Sequence, residues 1–283
     1  MNHQLAQMAS IVCHGNALLR GLQVPSFFPE NSTCEDCDSV RFVEQQNTLF
    51  GKEREILVSA YADEWLGQLR DRGVVGLKLG PMPGSDLATC NFKSAVSIGG
   101  AGAWAIEILT RRGLSEFSQA RWKVADPTAE QKIWLVSYSM FRRSRTVPSH
   151  VPTIEESAIN LRDALVEIRE FTEPYEQCQV FSVCFAKALR SLDNPNYEAG
   201  YYKDLAPFGL LGEEASCLLA AAMNAWVFGG TDSWNNLKFD RDARGRYEKL
   251  TSALFLAINE AVQAAIADTL PKAETSASGV LSA

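Results

Sequence analysis

The first residues in this chain whose spacing suits chemistry are two cysteines, Cys34-Glu35-Asp36-Cys37. A C-x-x-C pair can cycle between dithiol and disulfide, or supply half of a zinc site. As a redox pair this one is poorly tuned, because the two intervening carboxylates raise the thiol pKa and a reactive thiol needs it lowered. As a zinc site it lacks a second C-x-x-C and a His-x-His partner. The nearest further ligands are Cys13 and His14, so the zinc alternative is Cys13 with Cys34 and Cys37. Two thiols in a structured loop are the preferred account.

Cys13-His14-Gly15-Asn16 sets a thiol, an imidazole and an amide within four residues. A Cys–His nucleophile needs the two side chains in contact, and sequence neighbours usually point apart. With three histidines in the chain, His14 is the candidate for general acid–base work. The plainer account is an ordinary polar histidine. Cys178, Cys184 and Cys217 fall in predicted helices and read as small core residues.

A third pattern is longer. Gly100, Gly102 and Ala105 spell G-x-G-x-x-A after an apolar segment that includes Val96 and Ile98, and Asp126 closes a later apolar run. In a dinucleotide-binding βαβ unit the glycines admit a pyrophosphate to a helix N-terminus, and the acid takes a ribose hydroxyl. That reading makes residues 96–126 the NAD(P) site of an oxidoreductase. The context opposes it. Only Pro-Thr-Ala-Glu-Gln separates Asp126 from the next apolar run, and a parallel crossover needs about a dozen residues. A hairpin fits so short a link. Residues 94–141 therefore read as an antiparallel meander with strands at 94–98, 103–109, 119–126 and 131–141, and with 99–102 as its first turn.

Three further groups carry charge or polarity where function could use it. On its strand Glu107 shares a face with Ala105 and Leu109, opposite Trp104, Ile106 and Ile108. Covered by helices it would be a buried carboxylate with a raised pKa; the reading favoured is a solvated face. Arg142, Arg143 and Arg145 follow the last strand and could bind an anion or a carboxylate partner, or simply solvate the strand end. The loop 229–236 offers Asp232, Trp234 and Asn235 to a partner, and serves equally as a helix–helix connection.

The elements that must position these residues fall into three stretches. Residues 1–146 form a mixed α/β region. It has a broken helix over 5–22, a loop at 24–34, a short strand at 40–43 and a linker at 45–50. A helix is expected over 52–72, with Leu57, Tyr61, Trp65 and Leu69 at i+4 spacing and Gly73 at C′. A strand follows at 74–79. Residues 147–270 are helical: a capping box at Thr153 and Glu156 opens the first helix, which carries Leu161 and Leu165. Pro174 sits in the first turn of the second, with Phe181 and Phe185 on its stripe. The third covers 213–227 and the fourth 246–269, with Leu250 and Leu254. Residues 271–283 read as a disordered tail. The fold class is α+β, with an antiparallel four- to six-stranded sheet and a mostly helical second half.

Composition narrows the function classes. The 283 residues are 46% apolar and 22% charged, as in an ordinary globular protein. A net charge of −7 opposes general nucleic-acid binding, which needs a basic face. No stretch approaches the roughly 20 apolar residues of a membrane span, and the N-terminus lacks the pattern of a secretion signal. Seven cysteines without regular spacing suit a reducing cytosol rather than a disulfide framework. The Asn31-Ser32-Thr33 sequon has no role in that compartment. The expected function is cofactor-free binding of another protein, as in an immunity, adaptor or regulatory protein. The alternative is an enzyme, either nicotinamide-dependent or using Cys and His from 13–37.

Overall fold

Helix α1 (His3–Leu19) is buried at every position from Leu5 to Ala17. A helix with one apolar stripe lies on a surface; one buried all round is a central element. The Asn2 side chain caps its start by accepting from the Gln4 N–H at 2.7 Å. Arg20 closes it, and Gly21 takes the left-handed C′ position with φ 76°. The expected break inside this helix does not occur.

The computed structural model describes residues 1–47, 53–83, 104–111, 113, 115–126, 128, 132–142, 151–194, 202–230 and 232–271. Six strands are β1 (Cys37–Asn47), β2 (Glu53–Ser59), β3 (Val74–Pro81), β4 (Trp104–Thr110), β5 (Ser115–Val124) and β6 (Trp134–Arg142). They form one sheet in the order β2-β1-β6-β5-β4-β3. Strands β3 to β6 are an antiparallel succession. The antiparallel pair β1–β2 joins this group through β1, which runs parallel to β6 with Val40 opposite Val136. The sheet is therefore mixed, which corrects the all-antiparallel expectation. Turn signals show only sequential hairpins, and a parallel pair between distant segments has no local signature.

The meander at 103–141 is present as β4, β5 and β6, and the Ala125 N–H closes the β5–β6 hairpin on the Ile133 carbonyl at 2.7 Å. Strand 94–98, the turn 99–102 and with them Gly100 and Gly102 lie outside the described residues. Residues 104–110 are a strand, so the helix required by a βαβ unit is not formed.

The helix expected over 52–72 is instead β2 followed by α2 (Ala62–Asp71). The i+4 spacing of Leu57 and Tyr61 with Trp65 spans a corner. There the Ser59 hydroxyl oxygen accepts from the Tyr61 N–H and the hydroxyl donates to Glu64 Oε2 at 2.6 Å. Leu57 is left exposed on an edge strand, whereas Trp65 and Leu69 are core. Phe42 of β1 stacks between Trp65 and Tyr138 of β6. Strand β1 also runs through 45–47, where the sequence suggests a linker.

The second half holds α3 (Ile154–Thr172), α4 (Gln179–Leu192), α5 (Glu213–Asn224) and α6 (Arg241–Ala267). The Thr153–Glu156 capping box forms in both directions. A 3-10 turn (Glu176–Cys178) separates Pro174 from α4, and α6 begins before the expected 246 because Asp240 caps it through the Ala243 N–H. Leu161, Leu165, Phe185 and Leu254 are fully buried. Helix α6 has the length and apolarity to cross a membrane by composition, yet most of its apolar window is covered inside the protein, where it packs on α3, α5 and β3. The core runs without interruption from the sheet through α1 into these helices.

Candidate functional site

Four polar side chains, Gln7, Ser10, His14 and Asn16, are buried along the otherwise apolar α1. Burying a polar group is costly unless it is hydrogen-bonded, so each requires an account. Gln7 donates to the Thr33 carbonyl at 3.0 Å and accepts from the Tyr138 hydroxyl at 2.9 Å. Ser10 donates to Asn31 Oδ1 at 3.4 Å. Asn16 uses both ends of its amide on Leu77 and also donates to Thr269 Oγ1 at 2.8 Å.

His14 differs. Its Nε2 lies 3.2 Å from the Asp204 carbonyl oxygen. A carbonyl only accepts, so Nε2 carries the proton, and in the neutral ring Nδ1 is an acceptor. Burial lowers the His14 pKa, partly opposed by the Asp204 carbonyl and by the charges of Asp204 and Asp63. The ring is therefore neutral near pH 7. Nδ1 is shut off from solvent and has no partner among the described residues.

The His14 ring borders a cleft of about 540 Å³ between α1, the segment 202–211 and α5. From α5 come Leu219, Ala220 and Met223, one helical face at 3-4 spacing. The segment is fastened at Asp204: its carboxylate accepts from the N–H of Ser32 at 2.9 Å and from the Ser32 hydroxyl, and its carbonyl accepts from Asn31 Nδ2 at 3.0 Å. Asn31 in turn takes the Thr33 N–H and starts the 3-10 turn Ser32–Cys34. The sequon amide is thus buried and spent internally. At the outer end of the segment Phe208 is wholly exposed, on the rim of the cleft.

The structure distributes the other residues that the sequence singles out. Cys34 and Cys37 are buried on either side of the Gln7 amide, which lies 3.4 Å from Cys37 Sγ. Burial pushes their thiols up to about 12 and about 11. The sequence points to the adjacent carboxylates as the cause; burial is the larger one, and Asp36 adds to it at Cys37. Cys13 packs in the core, where burial raises its pKa further, while His14 faces the cleft, the divergence expected of neighbours. Among the described residues no three His, Cys, Asp or Glu side chains form a metal-binding group, so Cys13 does not complete a site with Cys34 and Cys37.

Asp126 braces the β5–β6 turn. Its Oδ1 accepts from the N–H and hydroxyl of Thr128, which hold the carboxyl below its usual range. Glu107 is buried rather than solvated, and the Ser115 hydroxyl donates to it at 2.6 Å. Arg142 ends β6 opposite Glu116; Arg143 and Arg145 lie outside the described residues. Trp234 is fully buried against Phe181 and Phe185, with Nε1 donating to Thr251 Oγ1 at 2.8 Å. Asn235 Oδ1 accepts from the Gly229 N–H and the Ser233 hydroxyl, which leaves Asp232 as the exposed one of those three candidates.

Sequence reasoning missed Asp204, Phe208 and the α5 face. The run Ala206-Pro-Phe-Gly-Leu-Leu211 was an available signal, since it is an apolar stretch outside any helical pattern. Compared with protein-family models, curated proteins and solved structures, the chain matches none.

Proposed function

We propose that the protein acts by binding a partner protein, without a cofactor, and that an apolar side chain of the partner seats in the cleft between α1, the segment 202–211 and α5. The observation that carries this reading is Phe208, a wholly exposed aromatic on the rim of a cleft to which Leu219, Ala220 and Met223 contribute an apolar face. Exposed apolar surface beside a recess is characteristic of interaction sites. The cleft volume lies within the range of about 300–1,000 Å³ typical of ligand sites. Phe208 extends the apolar surface beyond the cleft, which favours a protein partner over a small molecule held inside it. Segment 202–211 is fixed at Asp204 by four hydrogen bonds, so the rim is held in place before a partner arrives.

Photo-crosslinking tests the proposal. With p-benzoylphenylalanine in place of Phe208, irradiation in the native cell should give one discrete crosslinked species. Ala220→Trp, which fills the cleft, should remove that species while circular dichroism reports an intact fold. No crosslink above background, or a pattern indifferent to Ala220→Trp, would overturn the reading.

A further inference from the structure

We infer that the outer face of α4 is a self-association surface, through which two copies of the chain pair antiparallel across a two-fold axis at Val183. This surface is separate from the cleft. After Phe208, Val180 and Val183 are the most exposed large apolar residues among those described, at 73% and 65%. They lie one turn apart on α4, whose opposite side is buried through Phe185, Ala188 and Ser191. Valine is a poor helix former, because its branched Cβ loses rotamer freedom against the preceding turn. Local propensity therefore gives no reason for two valines on an open helix face, whereas burying them against another chain does.

Charge decides what covers them. Glu176, in the turn leading into the helix, and Lys187 and Arg190, near its end, continue the same face at 3-4 spacing. Glu176 and Arg190 are exposed, and neither makes an ion pair among the described residues. Each lies seven residues from Val183, on opposite sides. A second α4 laid antiparallel across Val183 therefore sets Glu176 of each copy against Arg190 of the other. The Lys187 stem then covers Val180 of the other copy and keeps its charged head in water. Such a contact is self-complementary, as a two-fold interface must be. A parallel pairing would instead set Glu176 on Glu176 and Arg190 on Arg190. An unrelated helix would have to reproduce this acid–apolar–base order, whereas a second copy supplies it by symmetry.

Helix α4 has 14 residues, so the paired stretch is about 21 Å long. One helix pair of that length is a small interface, which makes the dimer weak and reversible rather than obligate. Sedimentation equilibrium of the full chain between about 1 and about 200 μM should show a monomer–dimer transition. Val183→Asp places two carboxylates opposite each other at the axis and should leave a monomer throughout. Glu176→Arg and Arg190→Glu should each weaken the dimer by about tenfold or more, because two symmetric contacts change from attraction to repulsion. Combining Glu176→Arg with Arg190→Glu restores both contacts and should return the affinity to within about threefold of the unaltered chain.

A chain that stays monomeric at about 200 μM would overturn the inference. So would a dimer indifferent to Val183→Asp, since it would lie on another surface. A dimer that the single charge reversals weaken and the combined one fails to rescue would overturn the antiparallel pairing. Circular dichroism checks the fold of each variant, and should Val183→Asp fail to fold, the three charge variants carry the test on exposed positions alone. Ala220→Trp, which fills the cleft, should leave the dimer unchanged, so the two surfaces are tested separately.

Discussion

Asn16 holds both backbone groups of Leu77. Its Oδ1 accepts from the Leu77 N–H at 2.8 Å, and its Nδ2 donates to the Leu77 carbonyl at 2.9 Å. Strand β3 is the last in the sheet order, and on an edge strand every second residue turns its N–H and C=O away from the sheet. At Leu77 a helix side chain stands in for the missing neighbour. The same amide reaches Thr269 just past α6, so one residue joins α1, the sheet and the last helix.

Asn16→Leu should therefore destabilise well beyond the change in side-chain volume. It leaves two buried backbone groups without partners, each at about 1–3 kcal/mol. Urea unfolding should show a lower midpoint with an unchanged slope, and the Leu77 amide should lose its protection from hydrogen exchange. An unmoved midpoint would show that water replaces the side chain and that the edge is not sealed by α1.

Two glycine substitutions should move stability in opposite directions. At Gly15 an added Cβ would collide with Leu77 Cδ1 and come within 2.9 Å of Leu66 Cδ2, because α1 lies close on β3 there. Gly15→Ala gains about 0.8–1 kcal/mol in helix propensity and loses about 1–3 kcal/mol to overpacking, so a net loss is expected. Gly67, inside α2, has nothing within 4 Å of the same added atom. Gly67→Ala should stabilise by about 0.5–1 kcal/mol. Thermal or urea unfolding of the pair checks the close approach of α1 independently of any hydrogen bond.

The sequence made legible whatever repeats or punctuates locally. Thr153 and Glu156 mark the start of α3 because both halves of a capping box are within one turn. The five residues between Asp126 and Lys132 exclude a crossover because chain length alone forbids it. Leu161, Leu165 and Leu254 announce themselves by 3.6-residue periodicity. Long-range relations were not legible. Nothing near Val40 says that it pairs with Val136, and the i+4 run from Leu57 to Leu69 hid a corner at Ser59 that only tertiary contacts decide. The site suffered most, since His14 acquires meaning from Asp204, some 190 positions away, and from a face of α5. His14 stood out as a type of residue; its tautomer and its cleft are properties of the fold.

The buried thiols should make the protein sensitive to alkali. Cys34 and Cys37 hold their protons to about 12 and about 11 in the folded chain, against an ordinary value of 9.0, and burial raises Cys13 further. Above pH 9 the unfolded chain has lost protons that the native chain retains. Stability must then fall as pH rises, whereas below pH 9 both states are protonated and the contribution is fully present. Each such thiol removes at most about 1.4 kcal/mol per pH unit in this window. Urea unfolding under reducing conditions at pH 8, 9 and 10 should show a plateau followed by a decline. The comparison stops at pH 10 because Tyr138 and Tyr247, also raised by burial, contribute beyond it. Cys34→Ala should lower stability at pH 8 and make the decline above pH 9 shallower by one thiol's share. Iodoacetamide at pH 8 should modify the half-buried Cys184 before Cys13, Cys34 or Cys37, which wait for unfolding. Stability that stays level from pH 9 to 10, with early labelling of Cys34, would mean that the Gln7 layer between α1 and the 34–37 turn opens readily in the native protein.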